Sequence, residues 1–241
     1  MAEWFTQWFN EEYLALYAHR DDSDARRLFA LVQRAVPWQP GWRVLDVACG
    51  PGRHTRLFAE AGARVTGLDL SMVLLRHARE VTTAPLVRAD MRALPIAPGA
   101  IDLAVNLFTS FGYFDDDATH ARVIAGIVAT LRPGGWFVLD FLNAPRVRED
   151  VQAEAVAAGT GGRAAGWETR RRVSDDGRFV RKTIVGSNGR SWEERVRLLD
   201  VEELAAMCTA AGLQVTNRFG DYDGGAWSVA GARSILIGTR A

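Results

Sequence analysis

The chain has 241 residues, 48% of them hydrophobic, with 29 basic and 29 acidic side chains and a formal net charge of zero. This length suits one large domain, or one domain with a small addition, and the lack of a basic excess argues against a protein that grips a long nucleic-acid backbone. Cys49 and Cys208 are too few and too scattered for a disulfide framework or a zinc site, and no apolar run approaches the roughly 20 residues that span a bilayer.

The first segment, Glu3 to Arg34, reads as helical. Trp4, Phe5, Trp8 and Phe9 recur at helical spacing, as do Leu14 and Tyr17. Asp21-Asp22-Ser23-Asp24 gives a break and an N-cap for a helix carrying Leu28, Leu31 and Val32. Pro37 and Pro40-Gly41 close this region. No basic stretch followed by an apolar core opens the chain, so no secretory signal is expected and the cytoplasm is the expected compartment.

Strand and helix then alternate. Strands are expected at 43–47, 64–68, 86–89, 101–108 and 136–141, with helices at 53–61, 71–80 (capped by Ser71) and 118–131. Such alternation predicts a parallel sheet covered on both faces, joined by right-handed crossovers. From Arg163 to Asp200 the pattern changes. Trp167–Val173 and Arg178–Val185 are β-rich runs joined by Ser174-Asp175-Asp176-Gly177, and Ser191–Leu199 follows Ser187-Asn188-Gly189. Asp-Gly and Asn-Gly are favoured hairpin turns, so a three-stranded antiparallel insert is expected. The Ala- and Gly-rich stretch Val147–Gly166 reads as a link. A last helix over 201–211, capped by Asp200 and stopped by Gly212, precedes strands at 213–219 and 233–239.

One stretch carries chemistry: Val44-Leu45-Asp46-Val47-Ala48-Cys49-Gly50-Pro51-Gly52-Arg53-His54-Thr55. A strand ends near a carboxylate, turns through two glycines and opens a helix. The glycines permit positive φ and close approach of a ligand. A dinucleotide fingerprint would place a third small residue at position 55, where Thr55 stands. It would also hold a pyrophosphate on the helix N-terminus, which the charge of Asp46 opposes. A ligand with a cationic group and no phosphate suits this turn better. An NAD(P)-dependent oxidoreductase is disfavoured for the same reasons.

Asp46-Val47-Ala48-Cys49-Gly50-Pro51-Gly52 resembles the first motif of class I S-adenosylmethionine (SAM) dependent methyltransferases. Gly67-Leu68-Asp69-Leu70-Ser71 resembles their second motif, Arg88-Ala89-Asp90-Met91-Arg92-Ala93-Leu94-Pro95 their third, and Leu131-Arg132-Pro133-Gly134-Gly135 the turn before their fifth strand. The resemblance implies a Rossmann-like, doubly wound, seven-stranded α/β sheet with its last strand antiparallel. It implies SAM as cofactor and S-adenosylhomocysteine (SAH) as product. The expected organisation is an N-terminal helical cap (1–40), a SAM-binding core (41–145), a link with the β insert as lid or dimer surface (146–200), and a C-terminal helix with the last two strands (201–241).

The roles that follow are these. Gly50 and Gly52 admit the amino acid part of the cofactor, and Asp46 meets its ammonium group. Asp69 offers two acceptor oxygens to the ribose hydroxyls. Leu70 and Met72 flank the adenine, Asp90 accepts from its amine, and the Met91 N–H donates to its ring. Ala48, Arg53 and Leu107 complete the expected cofactor contacts. Methyl transfer from a sulfonium rests mainly on collinear placement, and a base is needed only if the acceptor must lose a proton.

The acceptor is sought beside the aromatic loop Asn106-Leu107-Phe108-Thr109-Ser110-Phe111-Gly112-Tyr113-Phe114, which resembles the loop of small-molecule members, including amino-sugar N-methyltransferases. Phe111 and Tyr113 are candidates to pack an acceptor and face the cationic methyl. Tyr17, Asn143 and Tyr222 are further acceptor candidates. His19, Tyr113 and Tyr222 are the candidates for catalysis. No metal is expected. The reading is a transferase acting on N or O of a small molecule, as a monomer or homodimer, with no nucleic-acid or membrane partner. The alternatives are a methyltransferase of tRNA, rRNA or protein, and a SAM-binding protein without turnover.

Overall fold

The structure is a computed structural model that describes residues 3–18, 22–156, 162–164 and 166–241. Three helices lead: α1 (Phe5–Trp8), α2 (Glu11–Leu16) and α3 (Asp22–Ala35). The alternating region gives β1 (Arg43–Val47), α4 (Arg53–Glu60), β2 (Arg64–Asp69), α5 (Met72–Val81), β3 (Leu86–Arg88), β4 (Ile101–Asn106), α6 (Asp117–Thr130) and β5 (Leu131–Leu142). Then come α7 (Ala144–Val156), β6 (Gly162–Ala164), β7 (Trp167–Val173), β8 (Phe179–Gly186), β9 (Ser191–Arg197), α8 (Val201–Ala210), β10 (Leu213–Phe219) and β11 (Arg233–Arg240).

The main sheet runs β10-β11-β5-β4-β1-β2-β3. β1 pairs in parallel with β2 on one side and β4 on the other, so the strand order reverses there. β11 is antiparallel to both β5 and β10. Every residue of β4 is buried, as expected of a central strand covered on both faces. On one face α6 and α8 supply Val123, Ile124, Ile127, Leu204 and Cys208 to the core. On the other, α3 and α4 supply Leu28, Leu31, Val32 and Phe58. Helix starts follow their side chains. Ser71 Oγ accepts from the Leu74 N–H at 3.2 Å, and the Asp200 N–H donates to the Glu203 carboxylate at 2.7 Å.

Two expectations are corrected. The stretch expected as a link begins as helix α7, whose Val147 and Val151 lie one helical turn apart and bury against Val180 and Leu198. The insert carries a fourth strand: β6 pairs antiparallel with β7, in the order β6-β7-β8-β9. Among the described residues, no helix is long and apolar enough to cross a membrane.

Candidate functional site

A cavity of about 770 Å³ opens above the carboxyl ends of β1, β2 and β4, at the point where strand order reverses. Its volume falls in the ordinary range for small-molecule sites, about 300–1,000 Å³. One end is built by the turn after β1. Ala48, Gly50 and Gly52 all take positive φ there, at 58°, 56° and 82°. Gly50 lines the cavity; Gly52 does not. A Cβ on Gly52 would sit 2.9 Å from the Cβ of Ala78, so this glycine lets α4 pack closely on α5 rather than admitting a ligand.

Asp46 and Asp69 face this end of the cavity, at 2% and 7% exposure. Thr55 Oγ1 donates to Asp46 at 2.6 Å, which gives the residue at position 55 its purpose. Asp69 accepts from the N–H of Gly50 at 2.8 Å and from the N–H of Ser71 at 2.8 Å, tying two ligand-facing turns together. Burial pushes the Asp46 carboxyl up to about 7, and raises Asp69 as well, against its backbone hydrogen bonds. Among the described residues, neither carboxylate has a cationic side chain within ion-pair distance, whereas most acids elsewhere have one. Two buried acids without a cationic side chain beside them are a set of acceptors suited to a positively charged ligand carrying hydroxyls.

A pH dependence follows. The folded-state value of Asp46 lies above its ordinary value of 3.8, so the folded protein binds more protons between about pH 4 and 7. This group's contribution to stability is therefore fully present below about pH 4 and is lost as pH rises towards 7. A cationic ligand favours the ionised form and binds more tightly as pH rises through about 7. Calorimetry of SAM at pH 7 in buffers of different ionisation enthalpy is expected to show net proton release, and Asp46→Asn is expected to abolish it.

Leu70, Asp90, Met91 and Leu107 line the cavity, as does Arg53, whose guanidinium lies 5.0 Å from the Phe108 ring centroid. Met72 does not; Leu74, two residues further along α5, takes that place. Asp90 is largely committed to Arg92, accepting from its N–H at 2.8 Å and its guanidinium at 2.6 Å, and Arg92 in turn grips Glu3 at 2.7 and 2.8 Å. This pairing holds the Asp90 carboxyl below the usual range, the Arg92 hydrogen bonds outweighing burial. The adenine-amine role is thereby reduced to whatever lone pairs Arg92 leaves.

The loop after β4 forms the middle of the cavity. Phe108 and Thr109 both take positive φ, 56° and 62°, uncommon for residues with side chains. Asp140, fully buried at the end of β5, holds them. Its carboxylate accepts from the Phe108 N–H at 2.9 Å, Tyr222 Oη at 3.0 Å and Arg233 Nε at 2.8 Å, while its carbonyl accepts from the Thr109 N–H at 3.1 Å. Arg233 also donates to Thr109 Oγ1 at 2.9 Å.

Of the acceptor candidates, Tyr17, Tyr113 and Tyr222 line the cavity. The Tyr113 hydroxyl donates to the Thr109 carbonyl at 2.6 Å. Tyr222 has its hydroxyl on Asp140, and burial with that charge raises its pKa, which removes it as a base near neutrality. Phe111 is 1% exposed and packs on His120 and Phe141, so it belongs to the core. Asn143 is fully buried and donates to the carbonyls of Ser228, Val229 and Gly231, fastening that loop. His19 lies outside the described residues.

Several cavity residues lie beyond the site residues expected from sequence. His54 lines it with 6% exposure, and burial, helped by Arg53, pushes its pKa down to about 3. The insert contributes Arg171, Val180, Lys182, Glu194 and Val196. Their signal was period-2 alternation, which marks Arg171 with Val173, Val180 with Lys182, and Glu194 with Val196 as sharing faces. The N-terminal aromatic residues Trp4, Phe5 and Phe9 close the other side, packed around Tyr113, with Tyr13 behind them on Phe9.

Comparison with known proteins agrees with this geometry. Residues 44–135 match the family described as Methyltransferase domain. Trans-aconitate 2-methyltransferase of Paracidovorax citrulli (strain AAC00-1) is 34% identical over 164 residues, which are 65% of this chain and 62% of that protein, so the match spans under two thirds of that relative. The dTDP-3-amino-3,4,6-trideoxy-alpha-D-glucopyranose N,N-dimethyltransferase of Streptomyces venezuelae is 31% identical over 186 residues, 71% of this chain and 75% of that one. The crystal structure of an S-adenosylmethionine-dependent methyltransferase from Clostridium acetobutylicum ATCC 824 superposes with a TM-score of 0.78 at 16% identity, covering 96% of this chain and 97% of that chain, and shares its fold. Motifs, sheet order and relatives converge: the chain belongs to the class I SAM-dependent methyltransferase family.

Proposed function

We propose that this protein transfers a methyl group from SAM to N or O of a small-molecule acceptor. The observation that carries the reading is the continuity of the cavity. It runs from the buried acids Asp46 and Asp69, past the strained loop at Phe108 and Thr109, to a second region walled by Tyr17, Tyr113 and the inner face of the insert. That second region is open space where a binding protein without turnover would need none. The relatives that act on trans-aconitate and on a nucleotide-linked amino sugar support a small acceptor.

SAM fits the first region by charge and shape. Asp46 and Asp69 provide negative charge and acceptor oxygens, Gly50 provides a surface without a side chain, and Leu70, Leu74 and Met91 provide apolar flanks. When bound, SAM supplies a methyl group activated on a sulfonium, with a neutral thioether as leaving group. The protein's part is to align and to exclude water. Asp140 and Arg233 fix the loop that carries Thr109 and Ser110, and the aromatic residues of α1 and the following turn cover the site. His54 is a weak base at its depressed pKa and Tyr222 is bound to Asp140, so an acceptor that arrives with an available lone pair suits the site.

Titration calorimetry with SAH tests the cofactor half, and release of SAH from SAM in the presence of an acceptor panel tests the transfer. Binding of NADH with no binding of SAH would overturn the reading.

A further inference from the structure

The insert places charge in the cavity in an ordered way. Arg171 of β7 stands directly opposite Lys182 of β8, and Lys182 directly opposite Glu194 of β9. All three line the cavity, forming one row across three strands. Like charges directly opposed in an antiparallel pair destabilise the pair, so the Arg171–Lys182 juxtaposition is unfavourable for the sheet alone. Lys182 is also the single lysine among 29 basic residues. The chain thus uses a compact ammonium at this one position, and arginine everywhere else. An ammonium differs from a guanidinium in being a point charge that binds single oxygens of an anion from any direction.

The partners of the row turn its charge towards the cavity. Glu194 faces the N-terminal helices, accepting from Trp8 Nε1 at 2.7 Å and Tyr17 Oη at 2.9 Å. Lys182 Nζ donates to Tyr17 Oη at 2.7 Å and lies 4.7 Å from that ring's centroid. Arg171 is steadied by Glu154 of α7 through Nε and Nη2. Each cation is therefore anchored at one side, by Tyr17 at the end of α2 or by Glu154 of α7, while its strand position presents it to the cavity. Val180 and Val196 flank the row with apolar surface, which excludes water and strengthens any ion pair formed there.

We propose that Lys182 and Arg171 form an anion subsite in the acceptor half of the cavity, and that the acceptor carries a carboxylate or phosphate that docks there. The inference rests on the methyltransferase reading and adds the substrate class: the anionic group is the handle by which the acceptor is held. Glu194 and Tyr17 set the reach of Lys182, and Glu154 that of Arg171.

The test uses the whole chain saturated with SAH. SAH binding by the unaltered protein, measured first in the same calorimeter, reports on the methyltransferase reading alone. Three probes follow: propane-1,2,3-tricarboxylate, inorganic phosphate, and the uncharged propane-1,2,3-tricarboxamide. At least one anion is expected to bind and the triamide to fail. Tighter binding of the tricarboxylate identifies a carboxylate acceptor, and tighter binding of phosphate a phosphorylated one. Lys182→Met and Arg171→Gln are each expected to weaken the anion by about tenfold or more, as for loss of a charge-assisted hydrogen bond, with SAH affinity retained. Lys182→Arg, which keeps the charge, is expected to restore part of the binding and guards against misfolding of the methionine variant. Equal binding of anions and triamide, anion affinity unchanged in Lys182→Met and Arg171→Gln, or no anion binding by a protein that binds SAH would overturn the proposal.

Discussion

Replacing Asp140 by alanine is expected to lower the stability of the protein by about 3–5 kcal/mol, the range for removing one partner of a buried ion pair. Asp140 is fully buried and Arg233, its partner at 2.8 Å, has a side chain only 17% exposed. The change leaves that guanidinium without its carboxylate and leaves the Tyr222 hydroxyl and the Phe108 N–H without an acceptor. It also frees two residues from left-handed backbone conformations that the network enforces. Asp140→Asn keeps one acceptor oxygen and most of the shape, and is expected to cost clearly less. Urea unfolding checks both. A loss under about 1 kcal/mol for the alanine variant would show that solvent replaces the carboxylate and that the pair is not a stabilising centre.

Asp69→Ala is expected to weaken binding of SAM by about 1.5–3 kcal/mol, or roughly ten- to 150-fold. The carboxylate does two jobs. Its lone pairs are the acceptors suited to vicinal hydroxyls, and two of them already receive the N–H groups of Gly50 and Ser71. The substitution therefore removes ligand contacts and loosens the turn that carries Gly50. Asp69→Asn separates these effects, because its amide oxygen can still receive one backbone N–H. Calorimetry with SAM and SAH is the measurement. An unchanged dissociation constant in the alanine variant would remove Asp69 from the ribose role.

Much of this was legible because the signals were local. The run from Val44 to Thr55 states a buried strand, a turn with positive φ and a helix start within twelve residues, and each of those preferences acts through neighbouring atoms. The same holds for Ser71 and Asp200 as helix caps. Failures arose where a residue's role depends on what the fold brings to it from far along the chain. Asn143 follows a strand in the place of an acceptor contact, yet it serves a loop 85 to 88 residues away. Phe111 sits in the aromatic loop but turns into the core, because His120 of α6 and Phe141 of β5 are there to pack against its ring. Gly52 reads as a ligand glycine, while the constraint on it comes from Ala78 on the neighbouring helix. The α7 segment was hidden by composition: its alanines, and the glycines that follow it in the sequence, obscured Val147 and Val151, which with Ala144 set its buried face. The alignment of Arg171, Lys182 and Glu194 into one row needed the strand register, since hairpin turns indicate pairing but not which face meets the cavity.

Residues 3–18 bridge both walls of the site. They reach the core through Glu3 on Arg92 and the Phe9 carbonyl on Ser71, and the insert through Glu12 on Arg190 and Trp192. Two of these four fasteners are ion pairs at the rim, where dissolved ions compete within a Debye length of about 10 Å at 0.1 M. Traffic through the rim should therefore speed up with ionic strength: a bound nucleoside is expected to leave faster in concentrated sodium chloride, even where its equilibrium affinity scarcely changes.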